Sequence, residues 1–159
     1  MALKVRRIIT GHDSTGKAIA KIDEVVSNVR EGRPGAMAHA IWTTEGFPVN
    51  NDTQEDAGAR PVQTTLPGGT IFRVIEFKPG VQARNHRTDS IDYAVVISGE
   101  IDMELDNKVV VKLKTGDALV QRGTIHNWVN RGTEDCVIAF VLISAKPATA
   151  NGKPLNAVG

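Results

Sequence analysis

The 159-residue chain predicts an all-β fold. No segment sustains apolar residues at i, i+3 and i+4 over the length of a helix, whereas short runs rich in β-branched residues recur between clusters of Gly, Asn, Asp and Pro. The length suits one domain whose core holds together without a structural metal or disulfide.

In chain order, residues 4–10 and 17–25 read as two strands joined by the turn cluster Gly11-His12-Asp13-Ser14-Thr15-Gly16. They predict an N-terminal hairpin arm without a core of its own. Residues 37–43 add a strand, and the polar stretch 44–67, rich in Pro, Asn and Asp, predicts a long surface connection or lid. The next hairpin can be registered from its charges. If Asp106, Asn107 and Lys108 form the loop, Ile101 faces Leu113 and Met103 faces Val111 on one side. On the other side Asp102 faces Lys112 and Glu100 faces Lys114, leaving only Glu104, opposite Val110, without a charge partner. A two-residue loop would set Ile101 against Lys112, so the pattern predicts strands at about 99–105 and 109–114. Tyr93-Ala94-Val95-Val96-Ile97 is apolar at both parities, which predicts a strand covered on both faces, by the arm or by a second copy of the chain.

Two blocks carry the functional signal. The first reads Gly80, five residues, His86, one residue, Thr88, three residues, Asp92, six residues, Gly99; the second reads Gly116, six residues, Gly123, two residues, His126, three residues, Asn130. Together they resemble the two signature motifs of the cupin superfamily. That resemblance implies a double-stranded β-helix, a jelly-roll barrel, over residues 61–145, preceded by the arm and connection at 1–60 and followed by a loose tail at 146–159. Small cupins are often dimers, and a homodimer is the expected assembly. The chain departs from the family pattern in carrying Thr88 for the second histidine of the first motif and Asp92 for its glutamate. It also carries Arg122 where the second motif commonly has a proline, and its Gly116 to Gly123 interval is one residue short.

Alternation places Arg84, His86 and Thr88 on one strand face and His126, Trp128 and Asn130 on another, both inward in a barrel of this kind. The resemblance implies His86, Asp92 and His126 as a three-ligand set for a divalent transition metal, with Fe, Mn, Ni and Zn all suited to such donors. The other reading is a metal-free polar pocket in which Asp92 takes hydrogen bonds at a turn. Arg73, in the alternating run Ile71, Arg73, Ile75, Phe77, is either a buried cation paired with a carboxylate or a group that recognises a substrate carboxylate. Arg84 carries the same two readings. Thr88 completes the polar wall, and Trp128 reads as an apolar wall of the pocket. Tyr93 has the opposite parity and reads as packing on the outer face, while His12 and His39 read as surface or packing residues.

Two functions follow. One is a metal-dependent enzyme acting on a small organic acid or polyketide-like molecule, whether as oxygenase, decarboxylase or isomerase; the other is a metal-free module that binds a small molecule without catalysis. A net charge of +1 gives no electrostatic footprint for nucleic acid. No apolar run approaches the length of a membrane span, and the first residues lack a signal-peptide core, so the expected location is cytoplasmic. The single cysteine, Cys136, begins an apolar run and reads as a buried side chain, in keeping with a reducing compartment.

Overall fold

The computed structural model describes residues 3–159. The described residues form thirteen strands: β1 Arg6–His12, β2 Ala18–Val25, β3 Val29–Arg33, β4 Ala36–Glu45, β5 Gly69–Phe77, β6 Ser90–Ser98, β7 Glu100–Glu104, β8 Val110–Lys114, β9 Ala118–Arg122, β10 Asn127–Val129, β11 Cys136–Ser144, β12 Ala148–Ala150 and β13 Lys153–Leu155. No helix among the described residues is long and apolar enough to cross a membrane.

Six strands form the main sheet in the order β3-β4-β5-β11-β6-β9, and a three-stranded sheet, β10-β7-β8, completes the jelly roll. The hydrogen-bonded ladder does not close into one continuous barrel; the two sheets share a core instead. Ile71 and Phe77 of β5, Ile138 and Phe140 of β11, Ile101 and Met103 of β7 and Trp128 of β10 meet there with buried Cys136. Alternation along each strand supplies this set, since every second residue faces the opposite sheet.

The charged hairpin takes the register its charges predict, Glu100 against Lys114, Ile101 against Leu113, Asp102 against Lys112 and Met103 against Val111. Asp106–Lys108 make one 3-10 turn, with Asn107 and Lys108 both at positive φ. Glu104, without a partner on β8, is held by Arg131 and by the Asn127 amide at 3.0 Å. Before this hairpin the chain turns at Gly99, whose φ is +80° and where a Cβ would lie 2.6 Å from Asp135 O, so no other residue fits without displacing the backbone.

The arm is the hairpin β1-β2. Arg7 docks it: the guanidinium pairs with Glu24 and Asp56 and donates to Ile41 O at 3.2 Å. Gly58 leaves room for this, because a Cβ there would lie 2.3 Å from Ile41 O and closer still to Arg7.

Four expectations change. Residues 29–45 belong to the main sheet rather than to an arm; β3, Val-Arg-Glu-Gly-Arg, is an edge strand with no apolar alternation to announce it. The tail is not loose, because β12 and β13 pair with each other and Val158 bridges Arg87 through two backbone hydrogen bonds of 2.9 and 3.0 Å. Asn130 is buried but structural, its amide donating to Phe77 O and Glu134 O, both at 2.9 Å. Finally, the arm does not cover β6. Leu3 and Val5 instead pack with Val26, Ile41, Val74 and Val137 outside β4, β5 and β11. The outer face of β6 and β9 is left open, with Tyr93 50%, Val95 47%, Ile97 50% and Val120 56% exposed.

Candidate functional site

A cavity of about 480 Å³ opens within the jelly roll. Arg84, His86, Thr88 and Asp92 line it from β6 and the segment before it, while His126 and Trp128 line it from β10 and the residue preceding that strand. All seven residues singled out in the sequence, with Arg73 of β5, therefore reach one space. Residues 61–64 of the long connection line it too, so that segment is part of the site.

One antiparallel bridge brings the histidines together. His86 N–H donates to His126 O at 3.0 Å and His126 N–H to His86 O at 2.9 Å, which sets the ring centroids 4.3 Å apart. Asn127 fixes the approach, accepting from Arg84 N–H at 2.9 Å. His86 Nδ1 lies 3.1 Å from Arg84 O, an acceptor, so the proton sits on Nδ1 and Nε2 keeps its lone pair. His126 Nδ1 lies 3.0 Å from Thr124 O and 3.1 Å from the Gln121 amide nitrogen. Thr124 O accepts, whereas the two amide hydrogens of Gln121 go to the nearer Thr124 O at 2.7 Å and Thr124 Oγ1 at 2.8 Å, so the tautomer with its proton on Nδ1 is the one the protein serves. Neither Nε2 has a hydrogen-bond partner among the described residues. Burial and the neighbouring His126 push the His86 pKa down to about 4, and burial lowers that of His126, so both rings are neutral at pH 7. Trp128 stands edge-on to His126 at 5.9 Å, packed in turn on Phe140 at 5.7 Å, and gives the cavity its apolar wall.

Opposite this wall is a short polar chain on alternate residues. Ser90 Oγ donates to Asp92 Oδ1 at 2.6 Å and lies 2.8 Å from Thr88 Oγ1, placing Thr88 as donor to Ser90. Burial raises the Asp92 pKa and the Ser90 hydrogen bond opposes it. Around the same space stand four guanidinium groups, those of Arg33, Arg73 and Arg84 and that of the exposed Arg30. Arg73 has no carboxylate hydrogen-bonded to it; its one hydrogen bond is to Gln63 O at 3.4 Å, and its Nε is buried without a partner. The expected ion pair for Arg73 is thus absent among the described residues. Burial pushes its pKa down to about 10, so it stays charged at neutral pH. Arg33, from edge strand β3, has Nε and Nη2 buried without partners. Arg84 donates to Gly159 O at 2.8 Å.

The donors fit a divalent transition ion in kind: two imidazole Nε2 atoms and a carboxylate. They are not gathered for one, because among the described residues no three His, Cys, Asp or Glu side chains stand close enough together to hold an ion. His12 is exposed and His39 is buried without a hydrogen-bond partner, both away from the cavity. Sequence reasoning missed Arg33, Ser90 and Gln121. Ser90 was signalled by its place between Thr88 and Asp92 at the same parity; Arg33 and Gln121 carried no signal short of the fold.

Against known proteins, a family model described as Cupin domain matches residues 73–143. Phomopsin biosynthesis cluster protein C′ of Diaporthe leptostromiformis is 38% identical, covering 96% of this chain and 85% of its own length. Cupin-domain-containing oxidoreductase fogC of Aspergillus ruber is 35% identical, covering 96% and 79%. Among solved structures, the polyketide cyclase RemF from Streptomyces resistomycificus matches with a TM-score of 0.52 at 14% identity over 82% of this chain and 79% of that one, a likeness of fold.

Proposed function

This chain belongs to the cupin family, and from that premise we propose that it is an enzyme acting on a small organic acid of polyketide-like type, with the reaction centred on His86 and His126. The observation that carries the proposal is the histidine pair: two neutral imidazoles, with ring centroids 4.3 Å apart at the wall of the cavity, with Nδ1 engaged by the protein and Nε2 left for a ligand. The relatives named as oxidoreductases and as biosynthesis cluster proteins support an enzyme in a biosynthetic setting.

Arg73 and Arg84 orient an acidic group of the substrate, since a guanidinium meets a carboxylate through two parallel hydrogen bonds. Trp128 supports the apolar body of the substrate and excludes water, which strengthens every charge interaction inside. His126 takes a proton at Nε2 while Nδ1–H donates to Thr124 O, and the imidazolium so formed gives that proton back from Nε2 with the same Thr124 bond in place. His86, with its proton on Nδ1, acts at Nε2 only as an acceptor. Thr88 and Ser90 hold Asp92 in place. In the metal-bound alternative to this proton chemistry, His86 and His126 through the same Nε2 atoms, with Asp92, would hold a divalent ion (Fe, Mn, Ni or Zn), which when bound supplies Lewis acidity or a redox centre.

The second reading, a metal-free binding module without catalysis, is favoured by the ungathered third donor and by the cations around it. One experiment separates the two. The protein is incubated with pooled small aromatic and polyketide acids, with and without each of the four ions, and products are followed by mass spectrometry. Turnover by the wild type that is lost in His126→Ala supports the enzyme; binding of an acid with no product under any condition overturns it in favour of the module. The open apolar face of β6 and β9 fits a second copy of the chain, giving a homodimer.

A further inference from the structure

We propose that Val158 and Gly159 are positioning residues of the site, holding the segment that carries His86 against His126 and fixing the Arg84 guanidinium at the cavity. The proposal rests on the reading above for the roles of His86 and Arg84, and extends the site to a tail 75 residues beyond Arg84 in the sequence. The β12-β13 hairpin brings the tail there. Ala150 pairs with Lys153, so Asn151-Gly152 is a two-residue loop, and both residues take the positive φ that the tightest hairpin turns require. The returning chain then lies antiparallel to residues 86–87. Successive residues of an extended segment aim their backbone groups at opposite sides, and His86 and Arg87 use both. His86 exchanges two bonds with His126, at 3.0 and 2.9 Å, while Arg87 exchanges two with Val158, at 2.9 and 3.0 Å. The His86 segment is therefore the middle one of three, and without the tail its outer side would be an open edge.

Gly159 adds a close approach. Its φ is +90°, and a Cβ there would strike Asn85 O and lie 3.0 Å from His86 Cβ, so only glycine lets the tail lie flat on this segment. From that position Gly159 O accepts from Arg84 Nη2 at 2.8 Å. The Arg84 side chain has Thr64 Oγ1 as its other partner, at 3.5 Å, too long to fix a guanidinium. Its backbone is held separately, with N–H donating to Asn127 Oδ1 at 2.9 Å and the carbonyl accepting from His86 Nδ1 at 3.1 Å. One residue thus joins tail and histidine: the Arg84 carbonyl orients the His86 ring, and the tail orients the Arg84 side chain. The Val158 side chain is 53% exposed, so the tail acts here through its backbone.

The test compares the wild type with Val158→Pro, which removes the N–H that Arg87 O accepts, with Gly159→Ala, and with Val158→Ala, which keeps the backbone bonds; each is first checked by thermal unfolding. Amide hydrogen exchange by NMR reads the His86 segment, and calorimetric titration with benzoate beside benzamide reads Arg84. In Val158→Pro and Gly159→Ala the His86 and His126 amides should exchange about tenfold faster relative to the Phe140 amide of β11. Benzoate affinity should fall about three- to tenfold, with benzamide changed less than about twofold, because an unanchored guanidinium has to be ordered on binding. Val158→Ala should restore both readings to within about twofold of the wild type. If Val158→Pro does not fold, Gly159→Ala carries the same expectations. Faster exchange confined to Arg87, with His86 and His126 as protected as before, would make the tail a cover only. Tighter benzoate binding in the variants would make Gly159 a competitor for Arg84. Either result overturns the proposal, as does a wild type that binds benzoate no better than benzamide. Turnover separates this inference from the enzyme reading. Faster His86 exchange and weaker benzoate binding, with no turnover found in the wild type, sink the enzyme and leave the positioning role; wild-type turnover that both variants retain in full, with His86 still protected, does the reverse.

Discussion

Gln121 holds Thr124 through two amide hydrogen bonds of 2.7 and 2.8 Å, and the Thr124 carbonyl in turn holds Nδ1 of His126 at 3.0 Å. Gln121→Leu removes the bonds that hold the Thr124 carbonyl against Nδ1, so the variant should lose roughly 10- to 100-fold in kcat/KM, with acid binding held, as partners of reactive imidazoles commonly do. Steady-state kinetics beside calorimetry checks the split; a parallel loss of binding would make Gln121 a packing residue instead. Trp128 carries both site and core, meeting His126, Phe77 and Phe140. Trp128→Ala should cost about 3–5 kcal/mol in urea unfolding. At this scale the two histidines were legible because glycine spacing registers them, and Asp92 and Thr88 because they share a motif with them. The arginines were half legible. Parity placed Arg73 inward, but whether it finds a carboxylate depends on which side chains stand across the cavity, and that is fixed only by the packing of β5 against distant segments. Arg33 sits between Gly32 and Pro34 at the end of a strand without apolar alternation, so nothing local marks it.

Among the elements, the β7–β8 hairpin shows what charge alternation can determine: a three-residue loop is the length that pairs unlike charges on one face and apolar residues on the other, and the observed register follows it. Lys108 pays for that loop with a φ of +62°. Lys108→Gly should therefore stabilise the protein by about 0.5–1 kcal/mol, the relief of the left-handed conformation less the added freedom of glycine in the unfolded chain; a loss of stability would place Lys108 in a contact that the strain repays. The arm was legible as a hairpin but not in its docking, because Arg7 and Asp56 are far apart in sequence. The Arg7 guanidinium holds the Asp56 carboxyl below its ordinary 3.8. A carboxyl with a lowered folded pKa contributes stability in full above its unfolded value, and that contribution is lost as pH falls through the folded value. The stability difference between wild type and Arg7→Met should accordingly be flat above about pH 4 and shrink below it, read by urea unfolding from pH 3 to 7. β12 and β13 escaped the sequence because three-residue strands of mixed polarity carry no period.

For the molecule as a whole, the fold class followed from strand periodicity and the jelly-roll arrangement from the two motif blocks, while the apolar run at Tyr93–Ile97 pointed to a cover that the chain itself does not supply. Val95→Asp on that face should turn a dimer into a monomer in sedimentation without loss of the fold; a wild type that sediments as a monomer at micromolar concentration would contradict the proposed assembly. The account as a whole turns on two neutral imidazoles presenting Nε2 to a cationic cavity. Nitrogen-detected NMR of the ¹⁵N-labelled histidine rings at pH 7 tests this most directly. The account predicts that His86 is neutral with its proton on Nδ1, and that the Nε2 signals of both His86 and His126 move when an aromatic acid or zinc is added. A His86 ring that is charged at pH 7, or that carries its proton on Nε2, would contradict it.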